Sequence, residues 1–173
     1  MRKPTLFSRL ITAIRVLLSL PFLTVLALTV LSVQGCGGSK LPKPPEPTTM
    51  QVYLLASKDL NSGSGRGALP VVVRMYELKS TGAFSGADFF SLYDHETETL
   101  GAELVAKDEI ALTPGQDRRL EKTLPPDAAF LGVVAAFRDI DRSQWRDIAV
   151  LKPNYANKVT ITVSADSITV ATQ

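Results

Sequence analysis

The stretch Phe130-Leu-Gly-Val-Val-Ala-Ala-Phe137 contains no charged or strongly polar side chain. A short apolar run of this kind is typical of a β-strand that is buried on both faces. Seven other segments have the β-branched, aromatic or alternating pattern of strands, or a charged pattern that indicates an edge strand. They are residues 51–57, 70–78, 109–112, 118–122, 147–151, 159–163 and 168–170. About eight short strands predict a mostly β protein that folds as a two-sheet β-sandwich.

The spacing of apolar residues changes between the second and third predicted strands. Phe89 and Tyr93 are four positions apart, and Leu100 and Leu104 repeat that spacing. This period predicts a helical insertion near residues 83–106, formed by two short helices with an aromatic face. We expect that face to dock the helices on the sheet, because such stripes usually belong to a core rather than to a ligand pocket.

The first 35 residues differ from the rest of the chain. They carry four basic residues and no acidic ones, and residues 16–33 are almost wholly apolar. This pattern predicts an export signal, although about 18 apolar residues would also suffice for a transmembrane anchor. The sequence Val33-Gln34-Gly35-Cys36 favours the signal, because it resembles a bacterial lipobox, which is cut before an acylated cysteine. Residues 1–35 are therefore the predicted lipoprotein signal peptide, and Cys36 is the predicted lipidation site.

A proline-rich segment follows Cys36. Four of the chain's 11 prolines lie in residues 37–49, which predicts an extended tether that reaches roughly 40 Å at most. Residues 36–49 thus form the lipidated tether, and residues 50–173 form the β-sandwich domain with its helical insertion. Residues 36–173 have 15 basic and 17 acidic side chains, so their net charge is −2. Basic residues are scattered along them, which speaks against a nucleic-acid surface.

The sequence offers poor material for catalysis or for a metal site. The chain has one cysteine and one histidine, so it cannot form an internal disulfide, a zinc site of cysteines alone or a site of several histidines. His95 lies in a polar segment, and neither a nucleophile elbow nor a phosphate-binding loop is present. Asp139 and Asp141 lack the further ligands of a calcium loop. We therefore expect neither an enzyme nor a cofactor.

The acidic pair belongs to a segment rich in arginine. Arg138, Asp139, Asp141 and Trp145 predict a structural turn in which arginines pair with the carboxylates and a buried Trp145 fixes the turn. The neighbouring Arg142 and Arg146 are further possible partners for these carboxylates.

Four segments together resemble a known family. They are the lipobox at Cys36, residues 70–78, residues 87–93, and Leu131-Gly-Val-Val-Ala-Ala-Phe-Arg-Asp139 followed by Trp145. Their order and spacing are similar to those of the outer-membrane lipoprotein of bacterial type VI secretion systems, the TssJ/SciN family. The resemblance implies a transthyretin-like β-sandwich with an added helical element and no enzymatic activity. Glycine rather than aspartate after Cys36 implies transfer to the periplasmic face of the outer membrane.

The resemblance also implies a partner. Members of the family bind the periplasmic C-terminal domain of TssM, a large inner-membrane subunit, and the complex spans the envelope. The contact implied by the family lies in the loop between the first two strands, here residues 58–69. Leu60, Asn61 and Arg66 are the candidate contacts, chosen on the reach of their side chains.

A second function stays open at this point. A periplasmic ligand- or peptide-binding lipoprotein could use the same sandwich, because a fold does not fix a function. A large apolar cavity would favour that alternative, whereas a filled core would favour the structural role.

Overall fold

The computed structural model describes residues 45–63, 65 and 67–173. The predicted signal peptide, Cys36 and most of the tether therefore lie outside the described residues. So does Arg66.

Eight strands form two four-stranded sheets. They are β1 (Thr49–Ala56), β2 (Val71–Leu78), β3 (Leu104–Leu112), β4 (Asp117–Thr123), β5 (Phe130–Ala135), β6 (Arg146–Val150), β7 (Ala156–Val163) and β8 (Ile168–Thr172). The first sheet has the order β4-β1-β7-β8 and the second has the order β3-β2-β5-β6. Only the β1–β7 pairing is parallel among these strands. The predicted mostly β sandwich with about eight strands is confirmed, and the charged segment is the edge strand β4.

The main core lies between the two sheets and follows the two-residue period of the strands. Alternate residues of β1, β2 and β7 point inward and are buried. These residues are Met50, Val52 and Leu54, then Val71, Val73 and Met75, then Val159, Ile161 and Val163. This alternation fixes the register, because a slip by one residue would turn every apolar side chain to the other face.

Strand β5 is buried on both faces, as its sequence predicts. Leu131 and Val133 belong to the main core, whereas Val134 belongs to a second core on the outer face of the second sheet. The helical insertion covers that outer face. The strand is apolar throughout because it has a core on each side.

The insertion consists of three short helices rather than the predicted two. Helix α1 is Gly82–Gly86, α2 is Phe89–Asp94 and α3 is Glu96–Leu100, and a 3-10 turn follows at Gly101–Glu103. Leu104, which the helical spacing had assigned to the insertion, is instead the first residue of β3 and pairs with Leu78. The second core, which holds Tyr76, Leu78, Phe84, Leu92, Leu100 and Val134, docks the helices on the sheet as expected.

Gly132 allows the closest contact between the insertion and the sheet. A Cβ atom at this position of β5 would lie 2.7 Å from Cζ of Phe84, which is fully buried. The ring of Phe84 therefore occupies the space that a side chain at position 132 would need.

The two ends of the sandwich carry different connections. At the end that we call the loop end lie the β1–β2, β3–β4, β5–β6 and β7–β8 connections. At the opposite end, the tether end, lie residues 45–48 with the β4–β5 and β6–β7 connections. Thr48 is held there, because its carbonyl accepts from Leu124 N at 2.8 Å and its hydroxyl from Asn154 N at 2.8 Å.

Candidate functional site

The loop between β1 and β2 is anchored at the loop end by hydrogen bonds to the β7–β8 turn. Ser57 N donates to Val163 O at 2.9 Å, and Asn61 N donates to Ser164 O at 3.1 Å. Gly63 N donates to Ala165 O at 3.4 Å. The first half of the loop therefore continues the packing of the first sheet.

Leu60 belongs to the main core and not to the surface. Its side chain is fully buried, and its carbonyl accepts from Leu69 N at 2.9 Å. The prediction that Leu60 contacts a partner is wrong for this conformation, because no part of the side chain is accessible.

Asn61 joins three segments of the loop end. Its side-chain amide donates to Pro70 O at 3.0 Å, and its Oδ1 accepts from Arg138 N at 2.8 Å. The residue is only 5% exposed and adopts φ 51°, a left-handed conformation that asparagine tolerates better than most residues. Asn61 therefore braces the base of the loop, which corrects its prediction as a direct contact.

The exposed part of the loop lies beyond this brace. Gly65 and Gly67 have φ angles of 73° and 81°, and both are open to solvent. Leu69 is 41% exposed, and Lys58 is exposed as well. Leu69 was not among the predicted contacts, and only its exposure in the structure distinguishes it from the buried Leu60 of the same loop.

The β5–β6 connection supports the loop from one side. Arg138 is exposed, Asp139 precedes a 3-10 turn at Ile140–Arg142 that contains Asp141, and Arg142 N donates to Asp139 O at 3.2 Å. A Cβ on Gly63 would lie 3.4 Å from Cβ of Asp139, so the loop packs closely against this turn.

The burial of Trp145 and the partners of Arg146 differ from the predicted turn. Trp145 is only partly buried, although it packs on both cores and meets Phe89 edge to face at 5.4 Å. Arg146 donates to Phe84 O at 3.0 Å and to Ala87 O at 2.6 Å. These bonds tie the β5–β6 connection to the helical insertion, a partner distant in sequence that local spacing did not reveal.

Charged contacts stiffen the body of the sandwich. Lys122 of β4 lies 2.5 Å from Glu77 Oε1 of β2 and 2.7 Å from Asp108 Oδ2 of β3, so it links the two sheets. Burial alone would lower the pKa of Lys122, but the hydrogen bonds and charges of Asp108 and Glu77 outweigh it and raise the pKa. Glu77 is 1% exposed, and burying its charge requires this partner.

A second charged cluster connects the helical insertion to the sheet. Arg74 donates to Glu96 at 2.9 Å and to Glu109 at 2.6 Å. The hydroxyl of the buried Tyr76 donates to Leu92 O at 3.1 Å. Burial, aided by Glu96 and opposed by Arg74, raises the pKa of Tyr76 to about 12.

The remaining chemistry of the surface is sparse. His95 is exposed between α2 and α3 and lines a polar surface pocket of about 330 Å³ with Arg74, Tyr93 and Glu96. No group of three His, Cys, Asp or Glu side chains in the described part of the chain is arranged to hold a metal ion. None of the helices among the described residues is long and apolar enough to cross a membrane.

Residues 48–166 match the family model of type VI secretion lipoproteins, a family that includes VasD, EvfM and TssJ. The chain belongs to this family. The match spans the sandwich from Thr48 at the tether end through the β7–β8 turn at the loop end. The TssJ family is one of secretion lipoproteins and is not a known class of enzymes. Membership implies attachment to a membrane through lipid.

Solved structures of TssJ-family proteins have the same fold. The chain is 41% identical to the lipoprotein TssJ1 of the Pseudomonas aeruginosa type VI secretion system, with 73% of this chain and 97% of that chain covered and a TM-score of 0.69. Lip of Serratia marcescens, a membrane-bound component of the type VI secretion system, is 26% identical, with coverages of 73% and 98% and a TM-score of 0.67. No curated protein sequence gives a significant match.

A third similar solved structure carries the name of another type VI secretion protein. It is described as the C-terminal domain of the type VI secretion protein TssM from EAEC. The matching chain is 27% identical, with 72% of this chain and 98% of that chain covered and a TM-score of 0.59.

Proposed function

We propose that this TssJ-family lipoprotein is a structural link in the type VI secretion membrane complex. Acyl chains on Cys36 hold it in the periplasmic leaflet of the outer membrane. Its loop end binds the periplasmic C-terminal domain of a TssM-like inner-membrane subunit. The observation that carries the proposal is the placement of the tether and the β1–β2 loop at opposite ends of one sandwich.

The length of the strands sets how far the loop end lies from the tether end. β1 and β7 each have eight residues and run in parallel from the tether end to the loop end. At about 3.3 Å per residue, they carry the loop roughly 25 Å beyond the point where the tether joins the sandwich. The loop end is therefore the part of the sandwich that can extend farthest from the anchor towards a partner in the inner membrane.

A link between two membranes also has to resist deformation. The main core, the second core under the helical insertion and the bridge of Lys122 to Glu77 and Asp108 tie the layers together. Asn61 fixes the base of the loop to this body. A fixed base lowers the ordering cost that the loop has to meet when it binds.

The exposed side of the loop supplies the contact. Leu69 offers an apolar side chain of the kind that is buried at the centre of interfaces. Arg66, which stands between Gly65 and Gly67 in the sequence, remains a proposed contact on the strength of the sequence. Leu60 and Asn61 act beneath the surface and shape the loop that these residues present.

A matched pair of leucines tests the contact. Leu69 in the loop is 41% exposed, and Leu55 on the outer face of the first sheet is 37% exposed. Leu69→Ala should weaken binding to the purified TssM-like periplasmic domain about tenfold, because burying a leucine side chain contributes about 1.5 kcal/mol or more and most of that is lost on truncation. Leu55→Ala should leave the affinity unchanged. Calorimetric titration measures both, and equal affinities for the two variants would place the interface elsewhere.

The anchor is tested at Cys36. The Cys36→Ser variant should fold normally, fail to fractionate with outer membranes and fail to support secretion, because no acyl chain can be attached. Secretion by a Ser variant that still fractionates with outer membranes would show that lipidation at Cys36 is not what holds the protein there.

The ligand-binding alternative has weaker support. The space between the sheets is occupied by buried side chains of the main core. The polar pocket beside His95 lies outside that core. An occupied interior favours the structural role.

A further inference from the structure

The tether end carries an exposed apolar and basic surface. Among the described residues, three large apolar side chains are more than 60% exposed, and two of them, Val150 at 64% and Tyr155 at 61%, lie at this end. Lys152 and Lys158 are exposed in the same region. We call Lys152, Tyr155 and Lys158 the tether-end patch. Val150 is not part of it, because Val150 faces the outer side of the second sheet, whereas Lys158 faces the outer side of the first sheet.

The patch lies directly beside the exit of the tether. Tyr155 lines a groove of about 500 Å³ whose other walls are Glu46, Pro47, Thr49, Asn154 and Ala156. Tyr155 O also accepts from Thr49 N at 3.0 Å. Position 46 is ten residues from Cys36, and an extended chain of that length spans roughly 30 Å. Lipids around an acylated Cys36 are therefore always within reach of the patch.

The charge of the patch is opposite to that of the domain. Lys152 and Lys158 make no salt bridge with any carboxylate in the described part of the chain, and Lys152 lies 5.7 Å from the ring of Tyr155. Lys79, at the same end, is paired with Asp127 at 3.0 Å. Glu46 is the one carboxylate of the groove. Since residues 36–173 carry a net charge of −2, two unpaired lysines here form a local basic surface.

We propose that the tether-end patch docks on the anionic phospholipid surface in which the protein is anchored. The inference rests on the proposed acylation of Cys36. Tyrosine has an apolar ring and a polar hydroxyl and is enriched at the interface between lipid and water. Each lysine near an anionic surface strengthens binding about fivefold, so the pair contributes roughly 25-fold. Contacts this weak suffice because the tether keeps the effective concentration of lipid high.

Docking would give the sandwich a defined orientation. With the tether end on the membrane, the strands point away from the bilayer and the loop end projects into the periplasm. Without docking, the sandwich would swing on its tether and present the loop in all directions. The patch would thus limit the range of directions in which the loop end points towards a partner.

Two probe positions on one strand test the orientation in the full-length lipidated protein. Ala156 and Thr162 are both exposed and lie at opposite ends of β7, roughly 20 Å apart. Acylation of the single native cysteine leaves an introduced thiol as the only reactive one. Ala156→Cys and Thr162→Cys therefore each accept one fluorophore, and neither change removes a side chain of the patch. Because Ala156 lines the groove beside Tyr155, each patch variant carries the same fluorophore as the protein with which it is compared. The proteins are reconstituted in vesicles of phosphatidylcholine and phosphatidylglycerol that contain a lipid with a quencher on its headgroup.

The expected result is strong quenching at position 156 and weak quenching at position 162. Lys152→Gln with Lys158→Gln should lower the ratio of docked to undocked protein about 25-fold. The quenching at position 156 should then fall to that at position 162. Lys58→Gln with Arg142→Gln removes the same charge at the loop end and should change nothing. Vesicles of phosphatidylcholine alone should behave like the patch variant.

Flotation of the vesicles distinguishes failure of the lipid anchor from failure of the docking. Protein that fails to float overturns the anchor and this inference with it. Protein that floats but is quenched equally at positions 156 and 162 overturns the docking alone. If position 156 is shielded by an added TssM-like periplasmic domain rather than by lipid, the patch is a protein interface and the membrane proposal is wrong.

Discussion

Replacement of Asn61 by alanine distinguishes a brace from a contact surface. The side chain makes two hydrogen bonds, to Pro70 O at 3.0 Å and from Arg138 N at 2.8 Å, and it is 5% exposed. The Asn61→Ala variant loses both bonds and leaves a carbonyl and an amide without their partners. It also places an alanine at φ 51°, where asparagine is tolerated better.

The expected loss of stability follows from these terms. Each buried hydrogen bond contributes about 1 kcal/mol, and alanine in the left-handed conformation costs about 1 kcal/mol. Asn61→Ala should therefore lower the free energy of unfolding by about 3 kcal/mol. For a domain of this size that corresponds to a fall in Tm of roughly 10 °C.

Two further variants separate the terms. Asn154 also has a positive φ, 57°, but its side chain is exposed. Asn154→Ala should therefore cost only the backbone term, about 1 kcal/mol. Asn61→Gly removes the same hydrogen bonds without that term, and should cost about 2 kcal/mol.

Urea unfolding followed by circular dichroism measures the three stabilities, and titration with the TssM-like periplasmic domain measures binding. Folded Asn61→Ala should retain measurable affinity, since its side chain does not reach the surface. If Asn61→Ala is no less stable than Asn154→Ala and yet abolishes binding, Asn61 is a contact and the brace argument is wrong.

Two other predictions concern the second core. Gly132→Ala should destabilise the domain by about 2 kcal/mol, because the added Cβ atom would lie within 3.0 Å of the buried Phe84 ring. Urea unfolding measures this change. Unchanged stability would mean that the helical insertion can shift to make room for the Cβ atom. Burial raises the pKa of Tyr76 from 10.0 to about 12, so the folded protein keeps a proton that the unfolded chain has released. Stability should be full below pH 10 and fall as the pH rises towards 12, by about 2 kcal/mol from this residue. Urea unfolding at several pH values in that range should show a smaller fall in the free energy of unfolding for Tyr76→Phe than for the unaltered protein. An equal fall in both proteins would contradict the raised pKa of Tyr76.

Much of the fold could be predicted from local patterns. The run at residues 130–137 indicated a strand buried on both faces, and the structure places a core on each side of β5. The patterns at residues 159–163 and 168–170 predicted two strands, and these are β7 and β8, which pair with each other. These predictions hold because burial on one or both faces leaves a period that the sequence itself displays.

The boundary of the helical insertion was harder to predict. Leu100 and Leu104 have helical spacing, but Leu104 pairs with Leu78 and begins β3. Two leucines four residues apart can both lie in one helix, or the second can begin a strand that follows the helix. Only pairing with a distant segment decides between them.

The candidate site shows the same division between local and distant information. The sequence by itself determined that a glycine-rich segment lies between the first two strands, and it predicts that a signal, a lipidated cysteine and a proline-rich tether precede them. Only the tertiary structure decided that Leu60 points into the core, that Asn61 binds Pro70 and Arg138, and that Arg146 binds the helical insertion. It also placed the loop and the tether at opposite ends. The physical reason is that periodicity records how buried a face is, whereas the partner of each side chain depends on segments brought together only by folding.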